Sequence, residues 1–227
     1  MRSTVSARFL EFTRPLEGTV EYMYVDVKGL VTIGIGNLID PIGVALGLAF
    51  VKKVGGTAAT PAEITAEWTL IKDADNSKQL KTKGHTACTA LTKLKLTDDV
   101  ILELCTRRLS SNELELKKVK EFKTFDEWPA DAQLALHSMA WAMGGAFAAG
   151  NLWPSFRAAC ATMDFDGAAD NCKMNESGNP GLIPRNRADM HLFKNAAAVM
   201  AGEADKFYNR ETLYYPINLL KPVVITP

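Results

Sequence analysis

The sequence predicts an α+β fold, mainly α, in which a small N-terminal β-hairpin element precedes a helical body. Three observations carry this. Apolar residues recur every second position around residues 22–38, and at helical spacing almost everywhere afterwards. Helix-start signals stand at Thr60-Pro61 with Glu63, and at Thr97 with Asp98 and Asp99. Residues 131–147, "DAQLALHSMAWAMGGAF", are too apolar all round for a surface helix.

Taken in order, Phe9, Phe12, Leu16 and Val20 place a helix within 4–23. Pro15 interrupts it, which puts the true helix start near that proline. Tyr22, Tyr24, Val31, Ile33 and Ile35 alternate around a Val-Lys-Gly turn, the pattern of a hairpin of short strands. "PIGVALGLAFV", residues 41–51, is too short to span a bilayer and reads as a buried helix or a loop packed between lobes. Thr60 as N-cap, Pro61 at the first helical position and Glu63 opposite the cap open a helix over 61–75. Thr97 caps the next, with acids in its first turn. Residues 131–147 form the central buried helix, and shorter amphipathic helices follow near 155–162 and 165–173. A turn-rich stretch, "NESGNPGLIP", leads to a last helix over about 185–207, and the proline-marked residues 212–227 look extended. One domain over 1–227 is expected. Its small lobe covers about 18–95 with an extra helical segment at 41–80, and its helical lobe covers about 96–210 plus the N-terminal helix. The cleft between such parts is the natural ligand site.

Composition narrows the function classes. Hydrophobic residues make up 47% and charged residues 23%, as in ordinary soluble globular chains. The 26 basic residues balance 26 acidic ones, so no basic field draws the chain to nucleic acid. The first eighteen residues lack a continuous apolar core and a small-residue cleavage site. Synthesis in the cytoplasm without a Sec signal, and no membrane insertion, are therefore expected.

Cys88, Cys105, Cys160 and Cys172 show no CxxC pairing and no nearby histidine cluster, which argues against a metal site. Buried free thiols are the favoured reading, although Cys160 and Cys172 flank one short connection and could meet. No cofactor-binding motif is present: "TIGIG" lacks the third glycine and following helix of a phosphate loop. His137 reads as a satisfied core histidine rather than a base.

Carboxylates remain. Glu17 ends the first helix, and Asp26 follows nine residues later at the start of the hairpin. Cleaving a glycosidic bond requires a protonated carboxyl to donate to the leaving oxygen and an ionised one to activate water or stabilise positive charge. A helix end against an apolar body and an exposed turn can divide those roles. A solvated helix-end Glu with a turn-capping Asp is the alternative, and the residues alone leave both open.

"LEGTVEYMYVDVKGLVTIGIGNLID" resembles the catalytic segment of the phage-type lysozymes, the muramidase family of the T-even phages. Glu17, Asp26 and Thr32 match that family's Glu-Asp-Thr spacing without a gap, and Gly29, Gly34 and Gly36 fall on its glycines. "LALHSMAWAMGGAF" is similar to the family's buried helix ending in a Met-Gly pair, here Met143-Gly144. "GLIPRNRADMHLF" resembles its closing helix, with Asn186-Arg187 on an Asn-Arg step whose arginine lies near the catalytic Glu. Residues 41–125 match only as a helical linker and small-lobe helices. Two departures stand out: Asn37 replaces the histidine after "TIGIG", and Ala142 replaces a glutamine before the Met-Gly pair.

The resemblance implies a lysozyme-like two-lobed fold and a peptidoglycan hydrolase that cuts the β-1,4 bond between N-acetylmuramic acid and N-acetylglucosamine. Glu17 would be the general acid and Asp26 the ionised partner. Thr32 would place the attacking water, giving inversion. Gly36, Asn37, Asn186 and Arg187 would bind substrate or support the site. No cofactor or metal is implied. Peptidoglycan glycan strands are the expected partner, a cognate immunity protein a further one, and the chain is expected to be a monomer. It would act at the bacterial cell wall, as an endolysin released through a holin or as an antibacterial effector of a secretion system. A non-catalytic glycan-binding or structural module, a lytic transglycosylase and a chitin-type hydrolase are the alternatives.

Overall fold

The structure, a computed structural model, describes residues 1–202 and 207–219, leaving aside the side chains of residues 76–78. The fold is α+β and mainly α. Its elements in chain order are α1 (Ser3–Glu17), β1 (Val20–Val25), β2 (Val31–Gly34), β3 (Asn37–Leu38), α2 (Ile42–Leu46), β4 (Val51–Lys52), α3 (Pro61–Lys78), β5 (Leu94–Lys95), α4 (Asp98–Leu116), α5 (Ala130–Met143), α6 (Pro154–Ala161), α7 (Phe165–Asn171) and α8 (Leu182–Gly202). Short 3-10 turns fill several connections. The chain divides into two compact units, Glu17–Arg108 and the combination of Met1–Leu16 with Leu109–Pro227.

In the Glu17–Arg108 unit, β1, β2 and β3 form an antiparallel sheet in that order. Val20 pairs with Gly34, Tyr24 with Thr32 and Val25 with Val31, with a bulge between the first two pairs. Met23, Val25, Val31, Ile33 and Ile35 are buried, so the packed face takes Val31, Ile33 and Ile35 of the alternation read from sequence but Met23 and Val25 in place of Tyr22 and Tyr24, which are half-buried on the other face. A separate antiparallel pair, β4 with β5, joins Val51 to Lys95 and Lys52 to Leu94. The capping box that opens α3 is complete. The Thr60 hydroxyl accepts from the Glu63 amide at 3.3 Å, and the Glu63 carboxylate accepts from the Thr60 amide at 2.8 Å. Lys72 on α3 then anchors the hairpin, donating to the Gly29 carbonyl at 2.8 Å and to Asp40 at 2.5 Å. The 41–51 segment differs from its reading. It does hold a short helix, but only Ala45 of α2 is buried, and Val44 and Leu46 are largely exposed. Five residues make too little of a helix for its apolar side chains to be covered all round, and burial passes instead to Leu48 and Phe50.

In the other unit, α5 is the core element, with every residue from Ala130 to Trp141 buried. Trp128, Trp141, Phe122, Phe125, Phe156, Phe165 and Phe193 are all buried there. Each such ring contributes about 1.5–3 kcal/mol by leaving water. Gly144, at φ +95, ends the helix. Gly145 next to it admits no side chain, because a Cβ there would lie 2.9 Å from the Glu115 Cβ and 3.0 Å from the Asn112 Cα. The first helix corrects the reading of Pro15, which sits in the last turn of α1 rather than at its start. Val5, Phe9 and Thr13 form one buried stripe that holds the upstream turns helical, so the proline breaks the ladder only where the helix ends.

His137 also departs from expectation. It is a core residue, fully buried between Phe9 and Phe125, yet neither ring nitrogen has a hydrogen-bond partner. Burial lowers its pKa to about 4, so the ring is neutral near pH 7. The segment from 212 is turns and bends as far as Leu219, not extended. Buried Asp131 draws it in by accepting from the Tyr214 and Tyr215 amides at 2.9 and 3.0 Å, and the Asn195 amide oxygen accepts from Leu219 at 3.1 Å. Residues 203–206, where the last helix was expected to finish, and 220–227 of the tail lie outside the described residues. All four cysteines are buried and free. Among the described residues no helix is long and apolar enough to cross a membrane.

Candidate active site

The residues singled out by the motif are set by one turn and one sheet. Asp26 closes the β1–β2 connection: its amide donates to the Leu30 carbonyl at 3.0 Å, and its carbonyl accepts from Gly29 at 3.0 Å. Gly29 takes φ +78, a conformation that penalises any Cβ, and a Cβ there would stand 3.2 Å from Asp75. The Asp26 carboxylate uses Oδ1 to accept from the Lys28 and Leu30 amides at 2.8 and 2.9 Å. This is the turn-capping role weighed as the alternative, and it occupies one oxygen. Among the described residues Oδ2 accepts no hydrogen bond, so an acid-base role for it is not blocked by the turn.

Thr32 lies opposite Tyr24 in the sheet and is almost wholly buried. Its hydroxyl donates to the Leu30 carbonyl at 3.2 Å, which leaves its lone pairs as acceptors. Glu17 closes α1 as an exposed residue, and its carboxylate turns toward the β2–β3 connection. A Cβ on Gly36 would stand 3.4 Å from Glu17 Oε2 and 3.8 Å from Arg108 Nη1. An acid and a cation thus stand in ordinary contact range of one piece of backbone, and it is the φ of +68 there that calls for glycine. Arg108 fixes that approach by donating to the Gly36 carbonyl at 2.5 Å.

Tyr24 ties these groups together. Its phenol is pushed up to about 12, first by burial, then by the negative charges of Glu17 and Asp26, with Arg108 opposing them. One side chain therefore feels both carboxylates and the guanidinium through space. The sequence marks Tyr24 only as an alternating strand residue and does not point to Arg108. The alternation in β1 places Tyr24 on the same face as the residue two positions on. Arg108 is 72 positions from the carbonyl it binds, and no local pattern announces it.

Two other candidates are corrected. Asn37 faces inward rather than toward a ligand: it is buried, its Oδ1 accepts from the Ile35 amide at 3.1 Å, and Cys105 lies 3.7 Å away. It shapes the turn after "TIGIG". Asn186, in the other unit, has its amide fully occupied. It donates to the Met174 carbonyl at 2.9 Å and to Glu176 at 3.0 Å, and it accepts from the Met174 amide at 2.9 Å. That pattern fastens the start of α8 and leaves no amide hydrogen for substrate. Arg187 beside it is exposed, and its charge helps hold Glu176 below the usual carboxylate range, after hydrogen bonds from Asn186 and Lys173.

No family model and no curated protein matches this chain. The geometry is therefore read by its chemistry. Two carboxylates, a threonine hydroxyl and an arginine on a glycine-opened backbone can protonate a leaving oxygen and orient a water. A cavity of about 650 Å³ lies in the same unit between α3 and the β4–β5 pair, lined by Lys52, Lys53, Glu63, Glu67 and Leu70 among others, and includes none of Glu17, Asp26 and Thr32. A smaller one, about 190 Å³, sits beside Phe12, Leu134 and Tyr215 in the other unit.

Proposed function

We propose that the protein is a peptidoglycan hydrolase of the muramidase type, cutting the β-1,4 bond between N-acetylmuramic acid and N-acetylglucosamine in glycan strands. The observation that carries this reading is the approach of Glu17 and Arg108 to Gly36, beside a Tyr24 phenol whose proton is held by the charges of both Glu17 and Asp26. Glu17 is the general acid. Asp26, through Oδ2, is the ionised partner, and Thr32 accepts a hydrogen bond from the attacking water. Arg108 holds the Gly36 backbone at the distance Glu17 needs. An inverting reaction requires the two carboxyls to stand about 6.5–9.5 Å apart, with room for water between them. Action at the bacterial cell wall, after holin release or secretion, and restraint by a cognate immunity protein belong to the same proposal.

The engaged Oδ1 of Asp26 favours one other reading, a glycan-binding module in which that carboxylate only shapes the turn. Digestion of purified sacculi by the wild type and by Glu17→Gln, with products resolved by mass spectrometry, separates the two. The hydrolase yields hydrated muropeptides with N-acetylmuramic acid reducing ends, and the variant yields none. Anhydro-muramic products would make the enzyme a lytic transglycosylase. Equal inertness of both proteins would leave the binding module.

A further inference from the structure

Beside the carboxylates, β1 carries two half-buried tyrosines, Tyr22 and Tyr24, and a distant segment brings a third ring to them. That segment is the 3-10 stretch His85–Leu91, pinned by fully buried Cys88. His85 stands 6.2 Å from the Tyr22 ring and 6.0 Å from the Tyr24 ring, centroid to centroid, and is itself exposed. The Thr89 hydroxyl donates to the Tyr22 phenol oxygen at 2.9 Å. The Tyr22 oxygen stands 3.0 Å from His85 Nδ1. The phenol, accepting from Thr89, has its own proton free to point at Nδ1 in the tautomer that carries the imidazole proton on Nε2. Among the described residues Nε2 has no partner. The result is a cluster of three rings in which the imidazole touches both tyrosines and turns its Nε2 edge to a ligand.

We infer that Tyr22, His85 and Tyr24 form a platform for the N-acetylated sugar rings of a glycan strand, running away from the scissile bond. The apolar C–H face of a pyranose packs on aromatic rings, and the acetamido carbonyl is an acceptor matched to a single N–H donor. The platform is continuous with the catalytic candidates, because Tyr24 is the residue that feels Glu17 and Asp26. Lys53, 4.3 Å from the centre of the Tyr22 ring, is the one cation in contact with that ring among the described residues, too little charge to mark a polyanion site. The inference rests on the glycan-hydrolase reading for the identity of the strand.

The test uses the full chain with Glu17→Gln as the background, so that binding is read without turnover. Cosedimentation is measured with intact sacculi and with glycan strands stripped of peptide by an amidase. His85→Ala is expected to weaken binding to both about tenfold, and Tyr22→Phe, which keeps the ring but breaks the relay to His85, to weaken it less. With Glu17 restored, His85→Ala should raise KM and leave kcat nearly unchanged. His85 is exposed, so an unchanged thermal melt separates this effect from misfolding. Unchanged binding of His85→Ala to peptide-free strands overturns the inference. So does a loss confined to intact sacculi, which would assign the rings to the stem peptide. Wild-type turnover by Glu17→Gln would sink the catalytic assignment alone, because the binding measurements stand apart from it.

Discussion

His137 makes the stability of this chain sensitive to mild acid, and the size of the effect follows from its burial. Its folded pKa is about 4, against an ordinary histidine value of 6.5. Burial disfavours the charged ring, so its contribution to stability is fully present above pH 6.5 and is lost as pH falls from 6.5 toward 4. At about 1.4 kcal/mol per unit, the drop is about 3 kcal/mol. His137→Leu removes the titrating group and the two unpartnered ring nitrogens, at the cost of edge contacts to Phe9 and Phe125. Urea unfolding of both proteins at pH 7 and pH 4 reads the difference. The variant should be within about 1.5 kcal/mol of wild type at pH 7 and should lose about 3 kcal/mol less on acidification. Asp189 titrates in the opposite sense. Its carboxyl is fully buried and pushed up to about 7, so its penalty grows between pH 3.8 and 7. That term is common to both proteins and cancels in the comparison. Identical pH slopes in the two proteins would refute the reasoning, because they would mean that the folded protein accommodates the imidazolium.

Gly36→Ala should cost about 1–2 kcal/mol from its positive φ and should lower turnover as well, because relief of that strain shifts the backbone whose carbonyl Arg108 holds beside Glu17; melts and sacculus digestion together report both. Arg108→Gln should cut turnover by roughly tenfold or more with a small shift in melting, since it frees the Gly36 carbonyl beside the acid; a wild-type rate would remove Arg108 from the site. Glu21→Gln is the control carboxylate: it lies on β1 in a surface ion pair with Lys95 at 3.0 Å, so it should keep nearly full activity and lose less than about 1 kcal/mol. Thr60→Ala should lose about 1 kcal/mol through the broken capping box, seen in the denaturation midpoint, with no change in turnover.

What could be read in the sequence was whatever short-range physics decides. The capping box at Thr60 and the apolar run of α5 each lie within one element and form as their patterns require, whereas the hairpin forms with Met23 and Val25, not Tyr22 and Tyr24, on the buried face of β1. The 41–51 run misled because hydrophobicity alone does not say whether enough partners exist to cover it. Pro15 misled because a buried stripe upstream outweighs one missing hydrogen bond. In the site, Glu17, Asp26, Thr32 and the glycines were legible as a spacing. Arg108, His85 and Thr89 were not, because each reaches its partner across more than sixty residues of chain. The inward turn of Asn37 depends on a packing partner, Cys105, that no neighbouring residue implies.

The four buried thiols bear on where such a chain can work. A disulfide forms only when a thiolate attacks, and burial opposes ionisation. Cys160 is pushed well above the ordinary thiol range and Cys172 up to about 12, each mainly by desolvation, and the two lie close enough for one to raise the other. Cys88 is shifted in the same direction. Burial of this kind slows thiol oxidation at Cys88, Cys160 and Cys172 when such a chain passes from a reducing to an oxidising compartment.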